Sequence, residues 1–111
     1  MRGEEEYEAT ISAIQESIVA ISGSNVLADG KKREMVSRIR SVKSTLEGNR
    51  KKGWMRTGEG KELLMVLRND ANEVLEAFKR LETENDYLEE LEKKILSFRS
   101  STRKLVEFLK K

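Results

Sequence analysis

The chain contains no cysteine, no histidine and no proline among its 111 residues. Without cysteine there can be no disulfide, so the redox compartment is not legible from sulfur. Without cysteine or histidine, the usual zinc sites and the Glu-x-x-His motif of di-iron bundles are excluded. General acid–base catalysis loses its commonest residue. Without proline, no helix need be broken or kinked by a ring. Aromatic residues are few, at 5%. Long apolar runs are also missing: the longest is Leu63–Leu67, far short of the roughly 20 residues of a membrane-spanning helix. The N-terminus, Met1-Arg2-Gly3-Glu4-Glu5-Glu6, lacks the apolar segment of a secretory signal. The expectation is a cytoplasmic protein with no membrane span and no cofactor. The clusters Lys31-Lys32-Arg33 and Arg50-Lys51-Lys52 leave a nuclear location open, because they resemble a nuclear-import pattern.

What is present is charge and period. Charged residues make up 38% of the chain, against about 25% in an average globular domain. The apolar residues recur every three or four positions. Leu64, Leu67, Ala71, Val74, Phe78 and Leu81 form one such series, and Leu88, Leu91, Ile95, Phe98, Leu105 and Leu109 belong to another. With about 3.6 residues per turn, each series falls on one helix face. Tyr7, Ile11, Ile14, Ile18 and Ile21 do the same near the N-terminus, and Met35, Ile39, Val42 and Leu46 in the next segment.

These series predict a single all-α domain, a three- or four-helix antiparallel bundle with helices near 4–22, 31–47, 61–82 and 86–110. Gly23-Ser24-Asn25 ends the first helix, and Gly48-Asn49 caps the second. A basic, glycine-rich loop covers 48–60. The region 61–110 is either two helices or one overwound coiled-coil helix. The period slips between Leu81 and Leu91, and Asp86 and Glu89 match a capping box. An unbroken helix would be about 75 Å long, too long for the remaining segments to cover, which favours the break. Ala9, Ala13, Ser17 and Ala20 form a face of small residues on the first helix. Such a face admits another helix closely, either within the domain or at a subunit contact.

Sites for chemistry are scarce. Neither Gly53–Gly58 nor the frame ending at Gly60-Lys61 satisfies the P-loop pattern, and no strand precedes them. Asn69, Asp70, Asn72 and Glu73 lie within a periodic helix and lack the EF-hand glycine. The expected function is therefore non-enzymatic: helix-mediated protein–protein interaction or assembly with a helical partner or a second copy of the chain. Ile11, Ile14, Ile18, Phe98, Leu105 and Leu109 are the candidate assembly residues.

The competing expectation rests on segregated charge. Residues 1–30 carry net −5, residues 31–61 net +8, and residues 62–111 net −1. Arg33, Arg40, Arg50, Lys51, Lys52 and Arg56 are the candidate anion-binding or nucleic-acid-binding residues. Arginine offers forked donors to phosphate, and Ser37, Ser41 and Ser44 add hydroxyls beside them. Trp54 is either a platform for a stacked base or a plug beneath the loop. An acidic protein presents similar clustered negative charge and is the third candidate partner. The acidic first helix packing beside the second would instead neutralise part of this charge internally.

Overall fold

The computed structural model describes residues 2–50 and 53–110. It contains four α-helices: α1 Arg2–Ser22, α2 Asp29–Gly48, α3 Gly58–Thr83 and α4 Leu88–Lys110. No strand occurs among the described residues. Acidic residues open three of these helices, Asp29 in α2, Glu59 in α3, and Glu89 and Glu90 in α4. There they meet the positive end of the helix dipole.

The turn between α1 and α2 is organised by Ser24. Its buried hydroxyl accepts from the backbone N–H groups of Val26, at 3.0 Å, and Leu27, at 3.1 Å. Leu27 is thereby turned into the core. The region 61–110 is two helices, separated at Glu84 and by a 3₁₀ turn at Asn85–Tyr87. α3 starts earlier than its apolar series because Thr57 caps it: the Thr57 hydroxyl accepts from Gly60 N–H at 3.0 Å. The closure of α2 uses a side chain rather than a left-handed residue. Asn49 has φ −113°, and its Nδ2 donates to the Thr45 carbonyl at 2.8 Å.

Helices consecutive in the chain run antiparallel. Lys43 reaches Gln15 across α1/α2, and Ser101 reaches Asp70 across α3/α4. Helices two apart pack side by side and run parallel. Thr10 and Ser17 of α1 donate to the Leu64 and Ala71 carbonyls of α3, at 3.4 and 3.1 Å. Lys31 of α2 meets Glu92 of α4, and further along both helices Arg38 and Ser41 face Arg99 and Arg103. α1 therefore neighbours α2 and α3, and α4 neighbours α3 and α2. The link from α2 to α3 crosses the diagonal. A side-chain hydroxyl can reach the carbonyl of a neighbouring helix only where small residues bring the two close. Ala13 and Ser17 on α1, opposite Ala71 on α3, provide that contact. The small-residue face serves packing within the domain.

The core is continuous through all four helices. Ile14, Ile21, Ile39, Leu46, Leu64, Leu67, Leu91, Phe98 and Leu105 are fully enclosed, each contributing about 1.5–3 kcal/mol of apolar burial. Every buried side-chain polar atom among the described residues has a hydrogen-bond partner.

Candidate functional site

Among the described residues, a concave surface lies along α2 on its α1 side. Ser22 from the end of α1 and Asp29, Lys32, Arg33, Val36, Ser37 and Arg40 from α2 line an open groove of about 510 Å³. Positions 29, 33, 36 and 40 repeat at three- and four-residue steps, so one stretch of helix supplies most of the wall. Three cations face one carboxylate there, and that carboxylate, Asp29, lies 3.9 Å from Lys32. Arg33, Ser37 and Arg40 are exposed, and Val36 is the buried floor. Two of the arginines singled out by sequence thus share a groove with a predicted serine. Lys32 and Ser22 join them unforeseen.

Arg50 and Arg56 do not extend this groove. Arg50 lies near the far end of α2. Its guanidinium bonds Glu8 at 3.0 Å and lies 5.3 Å from the Tyr7 ring centroid. Part of the positive charge is therefore met internally by α1. Burial pushes the Tyr7 hydroxyl above its ordinary range; Glu47 adds to the shift and Arg50 opposes it. Arg56 is exposed in the 3₁₀ turn Trp54–Arg56, at that same end. Lys51 and Lys52 lie outside the described residues.

Trp54 is no stacking platform. It is 5% exposed, and its indole Nε1 donates to the Asn49 carbonyl at 2.7 Å. Gly60 is required beneath it: a Cβ there would lie 1.9 Å from the Trp54 carbonyl oxygen. Gly53, with φ +70°, makes the turn into this plug.

The candidate assembly residues divide as well. Ile14, Ile18, Phe98 and Leu105 lie within the chain's own core, so the intact fold does not offer them to a second copy. Ile11 and Leu109 are half-buried and pack against that core. The inward stripe was legible in sequence, but which helix would cover it was not.

Two further features were not anticipated. Ser101 Oγ donates to Asp70 Oδ2 at 2.6 Å across the α3/α4 seam. Burial raises the Asp70 pKa, the Ser101 bond lowers it, Glu73 raises it, and Lys94 and Lys104 lower it. On the opposite side of α4, Arg99 and Arg103 face Arg38 and Ser41 of α2 in a small cleft. The signal for the arginine pair was hidden by averaging: residues 62–96 carry net −5 and residues 97–111 net +4. Among the described residues, no group of three or more metal-ligating side chains occurs, and no helix is long and apolar enough to cross a membrane. Comparison with protein-family models, curated proteins and solved structures finds no match to this chain.

Proposed function

We propose that the protein is a non-enzymatic helical binding module whose α2 face engages the phosphate backbone of nucleic acid. One observation carries this reading: Lys32, Arg33 and Arg40 share an open groove with the hydroxyl-bearing Ser22 and Ser37. Arginine forks and small hydroxyls are the groups that bind phosphate oxygens. Helix α2 holds all of them but Ser22 on one rigid element, which lowers the ordering cost on binding. An open groove also suits an extended chain better than an enclosed small molecule.

The test is a salt series with fluorescently labelled nucleic acid. The log of the binding constant should fall linearly with log salt, with a slope of about −0.7 to −0.9 per phosphate contact. R33Q/R40Q should make that slope shallower by about 2. Absence of binding at about 50 mM salt rejects the reading. Binding only to acidic polypeptides would assign the same groove to a protein partner.

A further inference from the structure

On the reading that α2 binds nucleic acid, we infer that its ligand is a B-form DNA duplex, with α2 lying along the major groove and the α2/α4 cleft gripping the second strand. The cleft is lined by Arg38, Ser41 and Val42 of α2 and Arg99, Thr102 and Arg103 of α4, and encloses about 110 Å³. Three guanidinium groups line it, with no carboxylate.

One of these three guanidinium groups is already ion-paired. Glu34 holds Arg38 at 2.7 Å, and Glu92 holds Lys31 at 3.1 Å. Neither Arg99 nor Arg103 makes an ion pair among the described residues. Arg99 and Arg103, like charges four residues apart on α4, repel, whereas Glu34 offsets the charge of Arg38 across from them. An oxyanion in the cleft relieves it. The Thr102 hydroxyl already donates to the Phe98 carbonyl at 2.9 Å, so Ser41 supplies the neutral hydroxyl. The cleft is smaller than the roughly 300–1,000 Å³ of small-molecule pockets. It suits one phosphodiester group rather than a whole nucleotide.

The duplex follows from the relation between the two cation rows. Lys32, Arg33 and Arg40 lie on the α1 side of α2; Arg38, Arg99 and Arg103 lie on its α4 side. The exposed Ser37, Ser41 and Ser44 run along the outer crest of α2. A helix with its side chains is about 10–12 Å across, and the major groove of B-DNA is about 12 Å wide. Rows on both sides of one helix therefore match the two backbones bordering that groove. Ser44, which lines neither the groove nor the cleft, then faces base edges, which a short hydroxyl side chain can contact. A single strand would meet one row only. The deep, narrow major groove of an RNA duplex does not admit the helix.

Fluorescence anisotropy with a short DNA duplex, its separated single strand and an RNA duplex of the same sequence tests this. The DNA duplex should bind most tightly. R99Q/R103Q should make its salt slope shallower by about 2 and leave the single-strand slope unchanged; R99K/R103K should restore the slope, which a loss of fold would not permit. Circular dichroism should show wild-type helicity for both variants, since both arginines are exposed. Equal affinity for duplex and single strand, or an unaltered duplex slope in R99Q/R103Q, overturns the duplex inference while leaving nucleic-acid binding intact. Failure to bind any of the three probes removes both.

Discussion

Asp70 shows how a single side chain makes stability depend on pH. Its carboxyl is pushed above the ordinary value of 3.8, first by burial, with the Ser101 hydrogen bond opposing. The folded chain thus holds this proton more tightly than the unfolded chain. The resulting stabilisation is fully present below 3.8 and is lost as pH rises through the raised folded value. Asp70→Asn, which keeps an oxygen to accept from Ser101, should therefore exceed wild type in urea midpoint at neutral pH. The gap should close near pH 3, where the wild-type carboxyl is also largely neutral. A variant weaker than wild type at neutral pH would mean that the charge-assisted bond outweighs desolvation. The pair was not legible in sequence, because Asp70 and Ser101 lie on different helices, and period does not say which helices are neighbours. Trp54 was legible only as an alternative between surface and interior. Composition does not say whether a lone tryptophan in a basic loop turns outward. Gly60 provides part of the answer, since only a residue without Cβ lets α3 start against the Trp54 carbonyl.

The helices differ most at their starts. Thr57 caps α3, but the residue preceding α2, Ala28, has the extended backbone of an N-cap (φ −64°, ψ 149°) without a side-chain hydrogen bond. Ala28→Ser needs no backbone change and should stabilise the fold by about 0.5–1 kcal/mol. This would appear as a higher urea midpoint with an unchanged denaturant slope. No gain would mean that the Ala28 site does not accommodate the serine rotamer. The sequence predicted that these segments are helical, in three helices or four, because apolar period survives any arrangement of neighbours. Of the two alternatives it held for residues 61–110, the favoured break at the slip in period is the one observed. It misplaced starts: α3 begins at Gly58 and α4 at Leu88. Thr57-Gly58-Glu59-Gly60 reads as loop when its two glycines are weighed more heavily than the threonine cap. Asp86 falls within the 3₁₀ turn that precedes α4.

At the scale of the whole molecule, period tells which face of a helix turns inward but not which helix lies beside it. The parallel pairing of α1 with α3 and α2 with α4, and the diagonal link it requires, had no signature in the sequence. That arrangement also bears on self-association. A stable interface buries about 800 Å² on each partner, usually around a desolvated apolar centre. Here four of the six candidate assembly side chains are enclosed by the chain's own helices. The large exposed apolar residues are dispersed: Val19 on α1, Val26 in the following turn, Met65 and Val66 on α3, and Leu96 on α4. The remaining means of self-contact is charge, with the acidic surface of α1 meeting the basic groove of another copy. Such a contact would be screened at physiological ionic strength, where the Debye length is about 8 Å. Sedimentation equilibrium at that ionic strength should therefore return the monomer mass of 12.8 kDa across micromolar concentrations. An association that appears at low salt and dissolves on adding salt would fit the same charge layout. A dimer that persists at high salt would instead require an apolar interface, and would direct attention to Met65 and Val66 on α3 rather than to the enclosed Ile14, Ile18, Phe98 and Leu105.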